Sequence, residues 1–172
     1  SVSGRSLRII DHVETKLLDN STPITLSVLE DLENKAKNYS PEFFTNYRVL
    51  TSAYYLDGKL EEEPIDKTAS SIEGRYRLII GRPNIKASLQ KSIAEKAKIE
   101  IVNLIPATVG ALVLEDEDIQ KGCALIDFGA GTTSLYIYKA GLLSHMSVIP
   151  FGGRTITKDM KALGFDNEQA EN

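Results

Sequence analysis

The residues of this chain best placed for chemistry are Ile126-Asp127-Phe128-Gly129-Ala130-Gly131-Thr132-Thr133-Ser134. An apolar run delivers an aspartate to a tight turn whose glycines let backbone amides come close to an anion. Thr132 and Thr133 add hydroxyl donors just past the turn. An ionised aspartate only accepts hydrogen bonds, so Asp127 suits a magnesium ion or its water shell better than a phosphate. Together these groups make half of a phosphate clamp. The same residues would equally build a plain β-hairpin in which glycine serves turn geometry alone, and the residues by themselves leave both readings open. Gly152-Gly153 carries a similar ambiguity: it either punctuates a strand-to-helix junction or leaves room for a phosphate.

The elements around this turn follow from pattern. Cys123–Phe128, Thr132–Lys139 and Leu142–Ile149 predict three strands joined through Gly129-Ala130-Gly131 and Ala140-Gly141, and a helix is expected from about Arg154 to Leu163. Upstream, Asn84 is a good N-cap before helical spacing at Ile85, Leu89, Ile93 and Ala97; Ile99–Ile105 alternates as a strand, and Pro106 opens a short helix with Val109, Leu112 and Val113. In the first half, a weak strand is expected over Ser6–Val13 and an amphipathic helix over Ser27–Asn38, opened by a Ser27/Glu30 capping box. Strands are expected at Tyr47–Asp57 and Arg75–Ile80, separated by a long acidic connection, Lys59–Glu73, which reads as solvated loop in preference to a docking surface. The natural boundary falls at Gly81-Arg82-Pro83.

Composition narrows the partners. The 172 residues are 42% hydrophobic and 26% charged, with 20 basic against 24 acidic side chains and a net charge of −4. That is ordinary globular composition, and it argues against a nucleic-acid-binding face or a polybasic membrane surface. A single cysteine excludes an internal disulfide, and two distant histidines, His12 and His145, make a histidine metal centre a poor expectation. Cys123 is expected as a packing residue, His145 as structural or exposed, and Tyr136 with Tyr138 as sheet packing. No apolar run approaches transmembrane length. The ends, Ser1-Val2-Ser3-Gly4 and Asp166 to Asn172, read as cut from something longer.

Strand, D-x-G-x-G-T-T turn, strand, hairpin, strand, then Ile149-Pro150-Phe151-Gly152-Gly153 and the Ile156-Thr157-Lys158-Asp159 helix resemble the actin-like ATPase superfamily. In detail they are most similar to the bacterial cell-division family FtsA. Val2-Ser3-Gly4 resembles that family's entry into an inserted subdomain, and Tyr54-Tyr55-Leu56-Asp57-Gly58 followed by Glu63-Pro64-Ile65 resembles its Y-x-x-D-G and P-[IV]-G stretch. Three departures stand out: Ala130 for the usual middle glycine, Ser134 where many relatives carry a second aspartate, and Asp66 for the glycine after Pro-Ile.

The resemblance implies an α/β fold: an SHS2-type α+β subdomain (1C) over residues 1–82, then a partial actin-like, ribonuclease-H-like lobe over residues 83–172. It implies that Asp127, Gly129, Gly131, Thr132, Thr133, Gly152 and Gly153 contact ATP in the full-length parent, with Asp127 holding magnesium through water. This chain alone is expected to bind neither. Implied partners are FtsA itself, FtsZ mainly through a lobe not in this chain, and later division proteins such as FtsN through residues 1–82. Membrane contact would come through a C-terminal anchor, at the cytoplasmic face of the inner membrane at the septum. The implied role is assembly, not catalysis. A PilM-like pilus assembly protein is the alternative, and a kinase of the same superfamily a more distant one, because no general base or substrate pocket stands out.

Overall fold

A computed structural model describes residues 6–85, 87–88, 91 and 113–171. The described residues fall into two compact units, one spanning residues 9–91 and the other built from residues 113–171. Of the expectations above, Leu89, Ile93 and Ala97, the strand Ile99–Ile105 and the helix from Pro106 through Val109 and Leu112 lie outside the described residues.

The first unit holds β1 (Arg8–Leu17), α1 (Leu26–Asn38), β2 (Thr45–Leu56), β3 (Lys59–Glu61) and β4 (Ser71–Gly81). The sheet order is β1-β4-β2-β3, so the last strand in sequence sits inside the sheet. That position explains its apolar run: Ile72, Tyr76, Leu78 and Ile80 share one face and meet Leu32 and Ala36 of α1, with Ile24 and Ala69 closing the core. Leu32 and Ala36 stand four residues apart, so a single helix stripe supplies both. Side-chain alternation makes β1 longer than its weak pattern predicted, and its last residue, Leu17, is 82% exposed.

Two local expectations are corrected here. The N-cap of α1 is Thr25, not Ser27, and its side chain caps no amide; Thr25 Oγ1 instead lies 2.8 Å from Ser27 Oγ, so Ser27 and Glu30 form no capping box. The helix is secured at its other end, where Asn46 Nδ2 donates to the carbonyls of Ala36 (2.9 Å) and Tyr39 (3.2 Å). These are carbonyls that helix geometry leaves without intrahelical partners. The stretch Lys59–Glu73 is not one long solvated loop. Asp57 and Gly58 adopt φ of 47° and 81°, the type I′ arrangement, and turn β2 directly into β3 with Leu56 opposite Lys59. Asp57 then accepts hydrogen bonds from the amides of Ser71 (2.9 Å) and Ser70 (3.3 Å), tying the hairpin to the start of β4. Glu61 pairs with Lys67 and also accepts the Glu63 amide (3.0 Å). The Lys67 hydrogen bond, with the Glu63 amide second, holds the Glu61 carboxyl below the usual glutamate range.

The second unit holds α2 (Asp116–Lys121), β5 (Cys123–Phe128), β6 (Thr133–Lys139), β7 (Leu142–Ile149), α3 (Gly153–Ala162) and α4 (Asn167–Glu171). The three strands form an antiparallel meander in the order β5-β6-β7, matching the predicted strands almost residue for residue. One face buries Ser134, Tyr136, Tyr138 and Met146. The tyrosines therefore pack within the sheet, and burial, with Tyr136 beside it, pushes the Tyr138 phenol pKa up. Ile126 and Ile149 point to the opposite face and are 65% and 52% exposed. Cys123 is half-buried and unpaired, and His145 is exposed. Among the described residues no helix is long and apolar enough to cross a membrane.

Candidate functional site: the Asp127 turn and the start of α3

Strand β5 carries Asp127 to its penultimate position, directly opposite Ser134 on β6. Beyond it the chain reverses, closed by the Gly129 amide donating to the Thr132 carbonyl at 2.9 Å. The Gly153 amide donates to Gly129 O (3.1 Å) and the Arg154 amide to Ala130 O (2.8 Å), so the first turn of α3 is fastened to the carbonyl side of the loop. Thr133 Oγ1 adds a third tie, donating to the Phe151 carbonyl at 2.7 Å. Phe128 and Phe151 meet edge to face, 6.2 Å between centroids, beside the same junction.

All seven residues singled out by sequence thus converge on one junction: Asp127, Gly129, Gly131, Thr132 and Thr133 in the turn, Gly152 and Gly153 against it. The glycines serve different ends. None of the four has a positive φ, so left-handed backbone is not the reason for any of them. Gly152 is extended at φ −169°, and a Cβ there would sit 2.3 Å from Gly129 O and 2.9 Å from Ala130 O. Its lack of a side chain is what lets loop and helix touch. Gly131, by contrast, has nothing within 4 Å of where its Cβ would be and faces open space.

Among the described residues the amides of Ala130 and Gly131 have no hydrogen-bond partner, while those of Gly153 and Arg154 are committed to the loop. The Asp127 carboxylate is exposed and pairs with no cation among the described residues. Ser134, 1% exposed and on the same face of the sheet, has an Oγ with no hydrogen-bond partner. An orphaned buried hydroxyl beside an exposed carboxylate and two open amides fits an anion accompanied by a hydrated cation. No cluster of three or more acidic, histidine or cysteine ligands occurs among the described residues, so direct multidentate metal binding has no frame here. Sequence reasoning missed the carbonyls of Ala130 and Phe151 and the amide of Arg154, because backbone groups leave no mark in residue type.

The FtsA family model, described as "Cell division protein FtsA", matches residues 124–172, the stretch that contains this whole junction. Curated proteins named Cell division protein FtsA are similar over much more of the chain. That of Porphyromonas gingivalis is 31% identical over 126 residues, 72% of this chain and 26% of the relative. Those of Bacillus subtilis and Agrobacterium fabrum are 33% and 37% identical, over 72% and 71% of this chain and 29% and 28% of theirs. This chain is FtsA-like. It spans between a quarter and a third of the length of these relatives. A solved structure of a PilM-PilN type IV pilus biogenesis complex superposes with a TM-score of 0.50 at 16% identity, covering 95% of this chain and 46% of that one. That likeness concerns fold alone, a mixed α/β arrangement.

Two departures from the FtsA pattern find their physical reasons in the FtsA-like chain. Ala130 does not adopt a positive φ, so a Cβ costs nothing in its turn. Asp66 sits at φ 64°, in the left-handed region where the family glycine is unstrained and aspartate is among the better-tolerated substitutes. Its amide donates to Ile24 O at 2.9 Å, which requires that backbone path. The third departure, Ser134, leaves the orphaned hydroxyl described above.

Proposed function

We propose that this chain is the part of an FtsA-like, ATP-binding assembly protein that carries its second phosphate-binding turn. The observation that supports this most is the fastening of the Asp127 turn to the start of α3. It presents the Ala130 and Gly131 amides and the Asp127 carboxylate on a fixed frame. In this reading Gly129, Gly131, Thr132 and Thr133 shape and line the phosphate side. Gly152 and Gly153 position the loop, and Asp127 orients magnesium through its water shell. Magnesium would supply charge neutralisation of the phosphates; the residues here hold and orient.

Residues 1–82 are proposed as the SHS2-type 1C subdomain and residues 83–172 as the partial actin-like lobe. The longer protein would act without catalysis, at the cytoplasmic face of the inner membrane at the division septum. There it would self-associate, tether FtsZ and recruit later division proteins such as FtsN, the latter through residues 1–82. Titration calorimetry of a full-length protein containing this chain tests the site. Asp127→Ala should weaken magnesium-ATP binding tenfold or more while circular dichroism stays unchanged. Equal affinity in the variant would remove Asp127 from the site.

A further inference from the structure

Strand β2 is interior only in part. Its whole length pairs with β4, but β3 covers the other side only at Tyr54–Leu56. From Thr45 to Ala53 the outer edge has no strand partner among the described residues. Exposed main-chain edges are templates for further strands, and folded proteins commonly blunt them with bulges and charge. Here irregularities at Asn46/Arg48 and Thr51/Ala53 bracket the edge but leave Arg48–Thr51 in regular register.

The surroundings of this edge are selective. A cavity of about 320 Å³ lies beside it, lined by Lys37, Asn46, Tyr47, Arg48 and Val49: two cations and no carboxylate. Arg48 is exposed and has no ion-pair partner among the described residues, and Lys37, though 2.7 Å from Glu33, keeps half its side chain in solvent. Just before the strand, Phe43 holds a left-handed φ of 66° and is 79% exposed. A bulky residue in that region is strained, and here burial within the chain does not offset the strain. The opposite edge, β1, carries Arg8 and Lys16 against Asp11 and Glu14 and has no such bias.

We infer that the outer edge of β2 from Thr45 to Ala53 is a strand-addition site for an extended acidic segment of another protein. Main-chain hydrogen bonds along Arg48–Thr51 would supply the pairing, Arg48, opposite Ile79 and so on the sheet face away from α1, would select the carboxylates of the added strand, and Phe43 would cover its end. The inference concerns the edge itself and does not rest on the nucleotide or division-site reading.

The test uses the full chain and a fluorescent eight-residue peptide alternating glutamate with valine. Saturable binding is expected, with slowed amide exchange confined to Thr45–Ala53. Binding should weaken at least tenfold for Arg48→Glu and for an acidic peptide interrupted by two prolines, and several-fold on raising salt. Phe43→Gly should raise the melting temperature yet weaken binding. A lysine–valine peptide binding equally well would overturn the inference, as would unchanged exchange at Thr45–Ala53. Protection of that edge by self-association in the absence of peptide would also overturn it, assigning the edge to a second copy.

Discussion

Replacing Gly152 with alanine tests the central structural argument of the site. The new methyl would lie 2.3 Å from Gly129 O and 2.9 Å from both C and O of Ala130. These are backbone atoms, so no rotamer change can relieve the contact. The loop must leave the start of α3, giving up the Gly153-to-Gly129 and Arg154-to-Ala130 hydrogen bonds. Each such bond contributes about 0.5–1.5 kcal/mol net, and forcing a methyl into packed surroundings costs about 1–3 kcal/mol more. The expected loss is about 2–6 kcal/mol, a large part of a domain's total stability of about 5–15 kcal/mol. Urea unfolding followed by circular dichroism measures the loss, and native-state exchange at the Gly153 and Arg154 amides localises it. Two neighbours serve as controls. Gly153→Ala meets only Ala130 Cα at 4.0 Å, and Gly131→Ala meets nothing within 4 Å. Both should stay within about 1 kcal/mol of wild type, and Gly153→Ala should lean towards stabilisation through helix propensity. If Gly152→Ala unfolded at the wild-type urea midpoint with both amides equally protected, the close-approach argument would be refuted.

Other expectations follow from single sites. Ala140 sits at φ 49° ahead of Gly141 at 76° in the β6–β7 hairpin, so Ala140→Asn should stabilise by about 0.5–1 kcal/mol, read as a higher melting temperature; a lower one contradicts the strain argument. Glu61 titrates below the usual glutamate range because of Lys67 and the Glu63 amide, so its contribution is intact at neutral pH and is lost as pH falls through that lowered value. Lys67→Met should move the Glu61 carboxyl titration upward by carbon-13 NMR, and no movement would deny the pair. The 172-residue chain alone should show no measurable ATP heat. Two open amides and one exposed carboxylate do not offset the several kcal/mol lost in ordering the ligand, and micromolar affinity would reverse that view.

Local chemistry in the sequence determined much of this protein. The meander β5–β6–β7 was legible because alternation and glycine-bearing turns act over a few residues, and α1 because Leu32 and Ala36 repeat at helical spacing. Residue type likewise singled out Asp127 and its turn. What only tertiary structure decided lies in contacts between distant backbone segments. Ser27 and Glu30 have the spacing of a capping box, yet α1 is held by Asn46, ten residues from the Ala36 carbonyl it caps. The acidic stretch after Asp57 looked like solvated loop because three residues of β3 are too few to show a period, and their partner is the strand before the turn. The interior place of β4 arises from pairing between strands far apart in the chain. The reason for Gly152 is a carbonyl more than twenty residues earlier, at Gly129, which no pattern around Gly152 records. Side-chain periodicity reports which face is buried; which backbone arrives against it is set by packing, and the site depends on that arrival.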